Sequence, residues 1–174
     1  MIGAIGNDMR LFIAIQFDDT VLEALTGLQE SLRGKRVGGN YTPRENLHLT
    51  LAFIGDYDDP EAVLEAIDRA EFRPMELALD GVGCFGDLFW VGLAENKALQ
   101  AYVKRLRREP ADAGIPFDRK RFSPHITLVR RVSVPGVGTM VPVSEAPKGS
   151  MRATRVSLMR SDRGKNGMIY TEIN

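Results

Sequence analysis

His48-Leu49-Thr50-Leu51 and His125-Ile126-Thr127-Leu128 are two copies of one pattern, His-x-Thr-Leu, set 77 positions apart. They hold the only two histidines of the chain, and each lies in an apolar run. Side chains alternate faces along a β-strand, so His48 and Thr50 share one face while Leu49 and Leu51 take the other. The same alternation sets His125 and Thr127 against Ile126 and Leu128. Each stretch therefore presents an imidazole and a hydroxyl side by side on a strand whose other face is core.

The sequence around the motifs repeats in the same register. A shift of 77 places Leu11-Phe12 on Leu88-Phe89, Arg44 on Arg121, and the first motif on the second without a gap. Arg10 to Phe17 reads as a strand, capped at Asp18 or Asp19 into a helix with Val21, Leu22, Leu25, Leu28 and Leu32 on one face. Gly34, Gly38 and Gly39 end that helix and open a loop. Leu47 to Ile54 is the motif strand, closed by Gly55. Asp58-Asp59-Pro60 starts a second helix with Val63, Leu64 and Ile67 inward. Met75 to Val82 reads as a strand. The pattern then restarts: strand Leu88 to Leu93, helix Lys97 to Ala113, a loop from Gly114 to Pro124, and motif strand Ile126 to Val132. Ser133 to Gly149 reads as a long loop, and Met151 to Arg160 and Met168 to Ile173 as the last strands. A strand–helix–loop–strand order met twice is the mark of a duplication. The expected architecture is α+β: a bilobal pseudo-two-fold with antiparallel sheets around a central cleft and helices outside. The whole chain, 1–174, is expected to form one such domain, with residues 1–9 a disordered lead-in.

Composition narrows the function classes. The chain has 174 residues, 44% hydrophobic and 26% charged, with a formal net charge of zero, so no global field draws it to nucleic acid or membrane. No apolar run is long enough to span a bilayer. The single cysteine, Cys84, excludes an intrachain disulfide and favours a cytoplasmic location. A monomer is expected.

Two histidines facing each other give a general base and a general acid, because imidazole titrates near neutrality. Such a pair suits displacement at phosphorus: one ring takes a proton from water while the other gives one to the leaving oxygen. Threonine hydroxyls beside them suit the non-bridging oxygens. Arg130 follows the second motif by two residues; Arg121 and Arg44 precede the motifs by four, and a guanidinium matches phosphate. A single His-x-Thr in a strand is ordinarily a half-buried structural pair. Two copies that use every histidine, at matched places in a duplication, favour catalysis. A zinc site needs a third ligand, which no spacing supplies, so no metal is expected. There is no G-x-x-x-x-G-K-[ST] loop and no G-x-S-x-G elbow, so neither a nucleotide cofactor nor a serine hydrolase is implied.

Other basic and aromatic residues carry weaker signals. Lys104, Arg105, Arg107 and Arg108 read as a solvated helix face. Arg119-Lys120-Arg121 is a candidate to reach phosphate, and Arg152, Arg155 and Arg160 are candidates to line the same side. Phe12, Phe53 and Trp90 read as core. Phe85, in the Gly83-Cys84-Phe85-Gly86 corner, is the candidate to stack on a base, with Tyr41, Phe122 and Tyr170 as alternatives.

With these motifs and their flanks, Arg10 to Ile15, Glu45 to Gly55 and Pro124 to Arg130, the chain resembles the 2H phosphoesterase superfamily. Within it the chain looks most like the RNA 2′,3′-cyclic phosphodiesterases, also called 2′-5′ RNA ligases. The resemblance extends over nearly the whole chain and implies a bilobal fold, no metal and no cofactor. It implies hydrolysis of an RNA 2′,3′-cyclic phosphate end to a 2′-phosphate. Under it His48 protonates the leaving 3′ oxygen, His125 activates water, and Arg130 holds phosphate. A binding module without turnover, or an RNA ligase running the chemistry backward, are the alternative readings.

Overall fold

The computed structural model describes residues 9–135, 141, 143 and 145–174. The apolar run Met9–Gln16 forms β1. Asp18 then caps α1, Asp19–Gly34, its carboxylate accepting from Val21 N at 2.9 Å. β2, Gly38–Tyr41, and a 3₁₀ turn at Arg44–Asn46 lead into β3, His48–Tyr57. Asp59 caps α2, Pro60–Arg69, with proline in the first turn, where its missing N–H costs nothing. β4, Met75–Phe85, and β5, Leu88–Leu93, form a hairpin. Asn96 caps α3, Lys97–Ala113, which Gly114 ends in the left-handed region at φ 73°. β6, His125–Ser133, β7, Ser150–Ala153, β8, Ser157–Gly164, and β9, Gly167–Ile173, complete the described residues.

The strands form two antiparallel sheets, ordered β3-β1-β8-β9 and β2-β6-β5-β4-β7. Each contains a motif strand beside the strand that opens its half, β3 on β1 and β6 on β5, as the duplication requires. One apolar core joins the inner faces of both sheets to Leu25 and Leu32 of α1, Val63 of α2 and Leu106 of α3. On the other face of the four-stranded sheet, Phe12, Ala14 and Met159 form a separate cluster with Tyr170. The motif strands β3 and β6 approach within 8 Å, Cα to Cα.

Four expectations need correction. Residues 38–41 are a strand rather than loop: Gly39, at φ +137°, lies so close to β6 that a Cβ there would sit 2.6 Å from Val129 Cγ1. Gly55 does not close the first motif strand; at φ +87° it occupies a register shift inside β3, which continues to Tyr57. Met151 to Arg160 is two strands, since β7 pairs with β4 while β8 pairs with β1, and residues 154–156 cross between sheets. Met9 belongs to β1; residues 1–8 of the expected lead-in, and much of the expected loop after Ser133, lie outside the described residues.

Candidate active site

Both histidines stand at the first position of their strands, and both rings are held by the same backbone device. His48 Nδ1 lies 2.6 Å from Asn46 O, and His125 Nδ1 lies 2.7 Å from Ser123 O. A carbonyl only accepts, so Nδ1 carries the hydrogen in each ring and Nε2 is left for proton transfer. Asn46 and Ser123 are themselves 77 positions apart, so the repeat includes the residue that fixes the tautomer. Asn46 is buried and donates through Nδ2 to Met168 O at 2.8 Å, anchoring the entry to β3 on β9.

Thr50 Oγ1 stands 2.8 Å from His48 Nε2. Thr127 faces the same way on β6, opposite Trp90. Leu49, Leu51, Ile126 and Leu128 are fully buried on the other face, as alternation requires.

A matched irregularity follows each motif. In β3, Ala14 pairs with Thr50 and Ile13 with Ala52, so Leu51 is an extra residue; in β6, Trp90 pairs with Thr127 and Phe89 with Val129, so Leu128 is extra. Each bulge resets the alternation by one. Phe53 and Arg130 thereby reach the face that carries the histidine and threonine. Phe53, expected in the core, is 52% exposed, its ring 6.1 Å from Phe12. Arg130 is exposed and paired in strand register with Asn40 of β2.

Aromatic rings flank both imidazoles. Phe12 lies 4.9 Å from His48, and Tyr170 meets it edge-on at 5.3 Å. Phe85, 48% exposed, meets His125 edge-on at 5.1 Å, and Trp90 lies 6.5 Å away. Phe12 is buried, as expected of a core residue, in the small cluster on the histidine face, whereas Trp90, also expected in the core, is only half-buried beside His125. Trp90 lies flat on Gly83, where a Cβ would come within 2.4 Å of the indole.

Burial pushes the His48 imidazole below its ordinary value. The Asn46 carbonyl works against this, while the positive charges of Arg130 and His125 add to it. Arg130 and His125 therefore act electrostatically on the ring of the other half.

The remaining basic candidates stand exposed or have partners of their own. Arg121 is exposed and makes no hydrogen bond or ion pair among the described residues. Arg44 is bound to Asp19 at 3.1 Å. Arg152 pairs with Glu76, Arg160 with Asp162, and Arg155 with Glu172, whose carboxyl is held down to about 2. Two arginines of the supposedly solvated face of α3 are engaged: Arg105 with the carbonyls of Ala70 and Glu71, and Arg107 with those of Leu51 and Lys120. Among the described residues, no group of three His, Cys, Asp or Glu side chains is placed to hold a metal ion, and no helix is long and apolar enough to cross a membrane.

Comparison with known families agrees with this geometry: the family model for the 2′-5′ RNA ligase superfamily matches residues 17–165. The chain belongs to that superfamily. Membership bears out the family inferred from the paired motifs. The RNA 2′,3′-cyclic phosphodiesterase of Archaeoglobus fulgidus is 28% identical over 174 residues, covering 95% of this chain and 98% of that one. The RNA 2′,3′-cyclic phosphodiesterase of Thermus thermophilus is 33% identical over 180 residues, covering 94% and 87%. Among superfamily structures, E. coli LigT complexed with 3′-AMP superposes with a TM-score of 0.78 at 26% identity, covering 96% of this chain and 95% of that one.

Proposed function

We propose that the protein hydrolyses 2′,3′-cyclic phosphate ends of RNA to 2′-phosphomonoesters, with His48 and His125 as the acid–base pair. The observation that carries this reading is the matched pair of imidazoles, each with Nδ1 locked to a backbone carbonyl so that proton exchange falls to Nε2. The relatives named RNA 2′,3′-cyclic phosphodiesterase support hydrolysis over strand joining.

In the proposed reaction water attacks phosphorus opposite the 3′ oxygen. One neutral Nε2 takes the proton of that water, and the other, protonated, gives its proton to the 3′ oxygen as the P–O3′ bond breaks. The products are a 3′-hydroxyl and a 2′-phosphate. Each ring contributes about 10²–10⁴-fold, as positioned acids and bases do. Arg130 neutralises the non-bridging oxygens, and Thr50 and Thr127 donate to them as charge develops. Phe85 and Phe53 present faces on which the terminal bases stack. Arg121, exposed on the preceding loop, has a peripheral part in holding phosphate.

The family resemblance makes His48 the acid and His125 the base. A second reading reverses them, favoured by the burial, Arg130 and His125 effects that hold His48 toward its neutral form. The pH profile of kcat/KM separates the two, because it reports the free enzyme. Residual activity of His48→Ala loses its acidic limb if His48 is the base and its basic limb if His48 is the acid.

The function is tested with a 2′,3′-cyclic-phosphate oligonucleotide in EDTA, with and without a 5′-hydroxyl acceptor strand. Release of a 2′-phosphate end supports the proposal. Saturable binding without turnover, or joined product alone, contradicts it.

A further inference from the structure

We infer that Arg107 and Gln29 are positioning residues, two reciprocal clamps that set the placement of the two motif strands relative to each other. The inference rests on the proposed two-histidine reaction and concerns how its geometry is held.

Arg107 extends from α3, in the second half, to the first motif. Its Nε and Nη2 donate to Leu51 O at 3.1 and 3.0 Å, and its Nη1 donates to Lys120 O at 2.6 Å. Leu51 is the bulge residue of β3, an edge strand whose outward carbonyls have no further strand to pair with. Lys120 lies in the loop leading to His125. One planar fork thus joins the bulge of motif one to the approach of motif two, and the guanidinium also lies 5.6 Å from the Phe122 ring. Asp118 N continues the attachment, donating to Phe53 O at 2.8 Å.

Gln29 does the converse from α1. Buried at 3% exposure, it donates through Nε2 to Leu128 O at 3.1 Å and to Thr42 O at 2.9 Å. Leu128 is the bulge residue of β6, and Thr42 lies in the approach to His48. Thr42 N also donates to Leu128 O at 2.9 Å. Each helix therefore grips the bulge carbonyl of the other half's motif and the approach to its own.

A bulge is a local register choice, and the carbonyl of its extra residue, Leu51 or Leu128, is where the helix side chains hold that register. Because the bulges turn Phe53 and Arg130 onto the histidine face, loss of a clamp disturbs the alignment of both rings. Displacements of about 1 Å are enough to lower a rate by about 10²-fold when reacting groups depend on orientation.

The test is Arg107→Met, which keeps the apolar stem and removes the donors, with Arg107→Lys as a milder variant and Val63→Ala on α2 as a destabilised control. All are assayed below their Tm on the cyclic-phosphate oligonucleotide. Expected for Arg107→Met is a kcat lower by about 10- to 100-fold with KM within about threefold. Arg107→Lys, with one ammonium in place of a fork, falls between, and Val63→Ala retains kcat. In nitrogen-15 NMR the His48 titration of Arg107→Met moves up toward the ordinary value, as the ring loses burial and the nearby charges. Wild-type kcat in folded Arg107→Met, or a change in KM alone, overturns the inference. If the wild-type protein shows no turnover, the functional reading fails, and an unchanged His48 titration in both Arg107 variants then overturns the clamp independently.

Discussion

Phe53 and Arg130 occupy matched positions in the two halves, each one residue beyond the pair of buried residues that forms its bulge. One half thus presents a phenyl ring and the other a guanidinium to the histidine face. The duplication supplies two matched imidazoles, and this difference between the halves gives the histidine face a direction.

Arg130→Met is expected to lower kcat/KM by about 10- to 100-fold, the range for a lost hydrogen bond to a charged group. It also raises the His48 pKa, because a positive neighbour that opposes protonation is removed. Kinetics together with an NMR titration of the two imidazoles checks both effects in one variant. A loss of activity with an unmoved His48 titration would place Arg130 away from that ring.

Phe53→Ala is expected to raise KM for an oligonucleotide by about 5- to 160-fold, from the ~1–3 kcal/mol of one base–aromatic stack. A mononucleoside 2′,3′-cyclic phosphate, seated on Phe85, is expected to change by less than about threefold. Equal losses on both substrates would show that Phe53 acts on the reacting end.

The legible and illegible parts of this chain divide on physical grounds. The register of His48 and His125, the caps at Asp18 and Asp59, and strand Leu88–Leu93 follow from local chemistry and periodicity. The bulges do not, because the Leu51 and Leu128 insertions have no residue signature and simple alternation sends Phe53 inward. β2 was hidden because Gly-Gly-Asn-Tyr has no apolar alternation and becomes a strand only by pairing with β6. Arg107 sits on the polar side of α3, and only the tertiary fold brings the β3 edge to it.

The lowered His48 pKa makes a signed stability prediction. Its folded value lies below the ordinary imidazole value near 6.5, so the unfolded chain binds more protons between the two. The contribution of His48 is therefore full above the ordinary value and is lost as pH falls through the lowered one. Thermal melts between pH 5 and 8 are expected to show Tm rising with pH more steeply in the wild type than in His48→Gln. Parallel curves would contradict the shift.

The central claim is that His48 and His125 form one proton-relay pair, and single-turnover hydrolysis of a 2′,3′-cyclic-phosphate oligonucleotide in EDTA tests it most directly. His48→Ala, His125→Ala and the double variant are compared at a temperature where circular dichroism shows all three folded. The account predicts that each single variant loses about 10²–10⁴-fold and that the double variant loses less than the product of the two, since the rings act as a unit. Wild-type rates in either single variant would contradict it.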